Sequence, residues 1–240
     1  MCLTKTFLRL LLIFLIIMPF GCKHKSNPVN SDDVEIIKPP IPVPTFTITE
    51  LTNNMIVLSE RISNSVNSFQ VNLLLLYGDQ GNLIIDSGVP SRSEKLNNKI
   101  ESINSKDLKC IINTHDHGEH IGGNSLLTNH DTLIFNSDGY YYFRNSNTNC
   151  EIIPIIDNYK FRFNNEDIIC YNLLEDGHSD CDMLIYFPNS NILCVGDLYF
   201  SESFPYVDVD KGAKVDFLIN NYEIIQSFLN NDTMIIPGHG

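Results

Sequence analysis

Three observations predict a layered α/β domain. Short apolar runs of strand length alternate with segments whose apolar residues recur at helical spacing. Polar loops rich in Gly, Asp and His follow those runs. With 43% hydrophobic and 19% charged residues, the composition is that of a folded chain, not a disordered one. At 240 residues the chain fits one sizeable domain plus tails.

Residues 1–21 read as a targeting segment. Lys5 and Arg9 form a basic start, and Leu10 to Ile17 is an unbroken apolar run. That run is too short to span a bilayer, which takes about 20 residues, but it suits a signal-peptide core. Gly21-Cys22 at its end resembles a bacterial lipobox, which makes Cys22 the expected lipidation site. An ordinary secretory signal or an uncleaved anchor are the rival readings. Residues 22–45 read as a tether. Lys38-Pro39-Pro40-Ile41-Pro42-Val43-Pro44 favours a semi-rigid extended spacer.

The folded domain is expected over 46–240. Met55–Leu58, Phe69–Tyr77 and Asn82–Asp86 read as strands, the last two joined by the turn residues Gly78-Asp79-Gln80-Gly81. Leu96, Ile100 and Ile103 predict a helix over 91–103, with Ser91 as its cap. Leu108–Asn113 is the next strand, and His120–Leu127 the next helix, with Gly122-Gly123 allowing close packing. Strands follow at Thr132–Phe135, Phe161–Phe163 and Ile168–Leu174, with a softer aromatic segment at Tyr140–Phe143. Met183–Phe187 and Ile192–Val195 read as a hairpin. Val215, Leu218, Tyr222, Ile225 and Leu229 fall on one helical stripe, and Met234–Ile236 is the last strand.

The chemistry concentrates in Thr114-His115-Asp116-His117-Gly118-Glu119-His120-Ile121-Gly122-Gly123. Three histidines and two carboxylates fall within six consecutive positions. Imidazoles and carboxylates this close are how a chain builds a zinc site. Further polar residues follow apolar strands at His178, Asp197 and His239. Each alone reads as a turn or surface residue. Together they do not, because five of the seven histidines lie in these loops, leaving only His24 and His130 elsewhere.

These blocks resemble the metallo-β-lactamase-fold hydrolases, whose signature is Thr-His-x-His-x-Asp-His followed by Gly-Gly. Asp86-Ser87-Gly88, Gly177-His178-Ser179, Cys194-Val195-Gly196-Asp197 and Pro237-Gly238-His239-Gly240 match as well, in order, from about Phe46 onward. The resemblance implies an αββα sandwich of two mixed β-sheets flanked by helices. It implies two Zn²⁺ ions, the first on His115, His117 and His178, the second on Glu119, His120 and His239, with Asp197 bridging. Asp197 and Glu119 are the implied catalytic carboxylates, beside a metal-bridging hydroxide at near-neutral pH. Two departures stand out. Glu119 replaces the family's Asp, which implies a weaker or altered second metal. The C-terminal helix usual after the Pro-Gly-His-Gly block is missing, which implies a truncated fragment.

The superfamily covers lactams, lactones, thioesters, sulfates, phosphodiesters and RNA. The formal charge is −13, more acidic still without Lys5 and Arg9, which disfavours nucleic acid and anionic membrane surfaces. Seven cysteines follow no disulfide framework and read mostly as small buried apolar residues. Cys181, three residues after His178, is a candidate soft ligand, and Cys194 is expected to point into the sheet. The reading is a zinc-dependent hydrolase of a small extracytoplasmic ester, thioester, lactone or lactam, exported and lipid-anchored. A β-lactamase proper and a non-catalytic metal-binding lipoprotein are the alternatives. The loop 201–212, with Phe204 and Tyr206, is expected to border the groove.

Overall fold

The computed structural model describes residues 46–63, 68–137 and 150–240. The leader, the tether, Cys22 and the aromatic segment at 140–143 lie outside the described residues. Strand β1 (Thr47–Thr52) turns into β2 (Met55–Ser63), and β3 (Ser68–Gly78) pairs with β2 from Met55↔Leu76 to Ser63↔Ser68. A tight turn at Asp79-Gln80 leads into β4 (Gly81–Ile85). Side chains alternate across a strand, so the apolar run of β3 can bury both faces. Leu74 and Leu76 face one cluster, while Leu73 and Leu75 face another.

Helix α1 (Ser93–Ile103) starts later than the sequence predicts. Pro90–Arg92 forms a short 3₁₀ turn, so Ser91 sits inside that turn and Arg92 takes the cap position with no side-chain cap bond. Leu96 and Ile100 are buried against the outer face of β4 and its neighbours. Each contributes about 1.5–3 kcal/mol on burial. Strand β5 (Leu108–Ile112) then delivers the histidine-rich loop.

The helix expected over 120–127 is two short ones, α2 (Gly118–Ile121) and α3 (Asn124–Leu127). The break at Gly122-Gly123 has a packing cause. A Cβ on Gly123 would run into the Ser87 carbonyl, and one on Gly122 into the Pro90 ring. Gly123 N–H donates to Gly88 O at 2.9 Å, so the chain leaves the helix to dock on the Asp86–Pro90 loop.

Strands β6 (Leu133–Ser137), β7 (Glu151–Ile155), β8 (Asn158–Phe163), β9 (Glu166–Asn172), β10 (Met183–Phe187) and β11 (Ile192–Phe200) follow. Both β1 and β7 were missed in the sequence. Strand β1 is mostly exposed, and β7 is a five-residue strand interrupted by Pro154 in which only Ile155 is fully buried, so neither shows a clear buried apolar run. Helix α4 (Val215–Phe228) and β12 (Met234–His239) complete the described chain. The stripe read for α4 is corrected. Leu218, Asn221 and Ile225 face inward, whereas Val215 and Leu229 are exposed. Asn221 can be buried because its amide donates to Glu175 O at 2.9 Å. Among the described residues no helix is long and apolar enough to cross a membrane.

The strands form one continuous mixed ladder, β7-β6-β5-β4-β3-β12-β11-β10-β9-β8, with β1 and β2 branching from β3. Two hydrogen-bonded sheets were expected; the ladder does not separate them. The reason is local. One edge of β3 is divided between β4, over Leu74–Gly78, and β12, which joins at Val71↔His239. Either side of that junction the strands carry separate outer clusters. Leu96 and Ile100 of α1 cover one outer cluster, and Leu218 and Ile225 of α4 cover the other. A third cluster mixes strands from both sides of the junction, including Leu74, Ile112, Phe187 and Cys194.

Candidate metal centre

Four chain segments converge, from the ends of β5, β9 and β12 and a bend in β11. His115 and His117 lie in the loop after β5, while Glu119 and His120 ride on α2. His178 sits in the loop between β9 and β10, and His239 is the last residue of β12. Asp197 was expected at a strand end. Strand β11 instead runs on to Phe200, and Asp197 sits within it, where pairing with β12 is irregular on both sides of Gly196. That irregularity, with Gly196 at φ 52°, turns the Asp197 carboxylate into the centre.

All seven predicted ligands come together. His115, His117, His178 and Asp197 offer ligand atoms within 4.8 Å of one another, as do Glu119, His120 and His239. Asp197 touches both groups. Its Oδ2 lies 3.0 Å from His239 Nε2, 3.6 Å from His178 Nε2 and 3.8 Å from His115 Nε2, and its Oδ1 lies 3.2 Å from His120 Nε2. The longer Glu119 side chain therefore joins the group despite its extra methylene. Cys181 does not join the seven. Its thiol is buried, pushed up by desolvation, and grouped with Asp116 and Asp180. Asp116 is ion-paired to Lys211, and Cys194 packs in the core as expected.

The outer nitrogens of the five rings settle which atoms face inward. His178 Nδ1 donates to Tyr206 O at 2.6 Å and His239 Nδ1 to Gln70 O at 2.7 Å. His120 Nδ1 donates to Asp86 Oδ2 at 2.8 Å, and His117 Nε2 to Asp208 Oδ2 at 2.9 Å. His115 Nδ1 donates to Thr114 Oγ1 at 2.9 Å, because the Thr114 hydroxyl proton goes to Asp86 Oδ2. Carbonyls and carboxylates only accept, so each neutral ring keeps its proton outside and aims a lone pair inward. His178 Nε2 and His117 Nδ1 face each other at 3.0 Å, and His120 Nε2 and His239 Nε2 at 3.4 Å. His115 Nε2 is buried with no hydrogen-bond partner. Converging lone pairs beside carboxylates fit divalent cations, and imidazole with carboxylate suits zinc.

Without a cation the electrostatics match neutral rings at His115 and His178, whereas His120 holds an added proton that a cation would displace. Burial holds His115 well below its ordinary value, with the His120 charge adding to it, and burial also lowers His178. Burial opposes charge on His120 too, yet Asp197 and Asp86 overcome it and raise that ring well above normal. Burial disfavours the Asp197 carboxylate, but His120 and His115 hold it ionised, well below the usual range.

Several positioning residues were not read from the sequence. Asp86 accepts from Thr114 N at 2.8 Å, Thr114 Oγ1 at 2.9 Å and His120 Nδ1, with a backbone φ of 61°. Its place in the Asp-Ser-Gly block was the only signal. Asp208 braces His117 from a loop that gives no local clue. Asp182 accepts from His178 N at 2.6 Å and Ser179 Oγ at 2.7 Å and so gathers the turn that carries His178. Burial pushes Asp182 up to about 7 even against those donors.

The centre opens into a cleft of about 700 Å³. Of the seven, His117, Glu119, His178, Asp197 and His239 line it, beside Arg61, Phe69, Gln70, Phe200, Glu202 and Tyr206. The loop after β11 borders it as expected through Glu202, Ser203 and Tyr206, whereas Phe204 is exposed and not part of its lining.

The family model for the metallo-β-lactamase superfamily matches residues 66–132, a span from β3 through the histidine-rich loop to α3 and the residues just past it. Over that span the chain is similar to the metallo-β-lactamase superfamily. Among solved structures, a metallo-β-lactamase from Pontibacter korlensis is similar at a TM-score of 0.71 and 16% identity, covering 82% of this chain and 92% of that one. The metallo-β-lactamase IND-7 is similar at 0.69 and 20%, covering 81% and 90%. A flavoprotein from Thermotoga maritima is similar at 0.63 and 15%, covering 82% of this chain and 57% of its own. At these identities the likenesses establish the metallo-β-lactamase fold. No curated protein matches the chain in sequence at a comparable level of significance.

Proposed function

We propose that this metallo-β-lactamase-fold chain is a zinc-dependent hydrolase acting on an ester, thioester, lactone or lactam of a small substrate. One observation carries the reading. Five imidazole lone pairs and the Asp197 carboxylate converge at the floor of an open cleft, with every outer ring nitrogen already held. His115, His117 and His178 would hold one cation, Glu119, His120 and His239 a second, and Asp197 would bridge them. Such a pair, when bound, acidifies a water to near-neutral pKa and polarises a substrate oxygen. The chain's own residues do the rest. Asp197, held ionised by the neighbouring histidines, supplies the negative charge that both groups share. Phe69, Phe200 and Tyr206 give the cleft apolar wall, which excludes water around the reacting bond. The three clusters of the core support an αββα layering beneath the site.

Export and lipid anchoring at Cys22 belong to the same proposal and rest on the basic start, apolar run and Gly21-Cys22 of the sequence. Expression in a bacterial host followed by mass spectrometry of the N-terminus tests them; an unmodified N-terminus starting at Met1 would reject both. The catalytic reading is tested on one preparation. Metal per chain is measured, and a cephalosporin, a lactone, a thioester and a phosphodiester are assayed with and without chelator. Chelator-sensitive turnover of at least one is expected, and turnover of the cephalosporin alone would point to a β-lactamase proper. Bound zinc with no chelator-sensitive turnover would leave a non-catalytic metal-binding protein.

A further inference from the structure

We propose that Arg61 is a specificity-determining residue that pairs with a carboxylate on the substrate, away from the bond that is broken. The inference rests on the hydrolase reading for its reaction, but not for its geometry.

Strand alternation fixes where Arg61 points. On β2 and β3 one face carries Met55, Val57, Ser59 and Arg61, paired with Leu76, Leu74, Asn72 and Gln70. That face is apolar toward the core and turns polar as it reaches the centre. Glu60, one residue earlier, faces the other way and pairs with Arg92 at 3.1 Å. Arg61 is directly opposite Gln70, whose carbonyl holds His239 at 2.7 Å. Directly paired residues have Cβ atoms about 5 Å apart, so Arg61 stands beside the strand position whose carbonyl braces His239. Arg61 Nη1 lies 3.4 Å from Ser68 Oγ, and both residues line the cleft.

Charge makes the position informative. Among the described residues lining the cleft, Arg61 is the only Lys or Arg, while Glu119, Asp197 and Glu202 are acidic. The whole chain carries −13, so nothing in the overall field attracts an anion. A guanidinium fork on the cleft wall matches a carboxylate in two parallel hydrogen bonds. Set between this fork and the centre, a substrate with one terminal carboxylate and a reactive carbonyl a few bonds away spans the cleft, its carbon chain lying along Phe69 and Phe200.

The test uses the metal-loaded protein with wild-type Arg61, Arg61→Ala and Arg61→Lys. The p-nitrophenyl monoester of succinate supplies a carboxylate, and p-nitrophenyl acetate is its neutral counterpart. Arg61→Ala should raise KM for the succinate ester by roughly tenfold, with little change for the acetate. Arg61→Lys should restore part of the difference, since Lys keeps the charge but not the fork. A second readout does not depend on turnover. Binding of mercaptosuccinate and of 2-mercaptoethanol is measured by calorimetry; both offer a thiol, and only the first a carboxylate. Loss of the mercaptosuccinate preference in Arg61→Ala supports the inference even if neither ester is hydrolysed, because this readout is independent of the catalytic reading, which the substrate panel above tests. Equal effects on charged and neutral probes, or no effect on either, overturn it.

Discussion

Asp86 and His120 are locked together at the centre of the site. Asp86 Oδ2 accepts the His120 Nδ1 proton at 2.8 Å, and both side chains are buried. The same carboxylate takes the Thr114 amide and hydroxyl, so one residue orients His120 directly and His115 through Thr114. Replacing Asp86 with Asn keeps a residue that tolerates the left-handed backbone, φ 61°, which Ala would strain. Asp86→Asn should therefore fold but bind metal about 10–100-fold more weakly. A chelator-competition titration reads this. Wild-type affinity in a folded Asp86→Asn protein would remove Asp86 from the positioning network.

Glu119 reaches the His120 and His239 group from the four-residue helix α2, with a longer side chain than the family's Asp. It is the group's only acid besides the shared Asp197. Glu119→Ala should lower bound zinc from two per chain toward one, leaving the His115, His117 and His178 group loaded. Glu119→Asp should test the fit of the loop, since about 0.5 Å of looseness is enough to impair a site. Elemental analysis after exhaustive dialysis distinguishes these outcomes, and two zinc ions retained in Glu119→Ala would show that the residue is not a ligand.

The candidate ligands were legible in the sequence because they follow strongly apolar strands and cluster. His115 to His120 announce themselves by density, and His178 and His239 by Gly-flanked loops after buried runs. What braces them was not legible. Asp208 and Gln70 hold rings from chain segments 91 and 169 residues away, and no local pattern encodes such contacts. The same limit applied to the fold. Strands with a buried apolar face, such as β3 and β5, were found nearly to their ends. The exposed strand β1 and the short, proline-interrupted β7 were not, and the expected single helix after His120 was split by close packing of Gly123 on Ser87, a tertiary contact.

Asp182 gathers the loop that carries His178. It accepts from His178 N, Ser179 N and Ser179 Oγ between 2.6 and 3.1 Å, all within the buried interior. Asp182→Ala would strand those donors, at about 1–3 kcal/mol for each unsatisfied buried group. A loss of at least about 3 kcal/mol in urea unfolding is expected, with weaker metal binding at the first group. Ser179→Ala removes only one of the donors and should cost about 1 kcal/mol. Equal, small losses for both variants would mean that the loop is held by its backbone alone.

The two metal groups should also respond differently to pH. His120 is raised well above its ordinary value by Asp197 and Asp86 despite its burial, so in the metal-free protein it carries a proton that a cation must displace. His115 and His178 are lowered by burial and are already neutral at neutral pH. Affinity at the Glu119, His120 and His239 group should therefore climb with pH until His120 loses its proton, while the first group changes little over that window. The sign for the metal-free fold follows from the same shifts. The His120 contribution is fully present below its unfolded value and is lost as pH rises through its raised folded value. The Asp197 contribution is present above the ordinary carboxylate range and is lost as pH falls through its lowered folded value. Calorimetric zinc titration in two buffers of different ionisation enthalpy counts the protons. The second equivalent should release one more proton than the first, and on lowering the pH it should be the first to leave. Equal proton release by both equivalents, or loss of both over one pH window, would show that His120 carries no proton for the metal to displace.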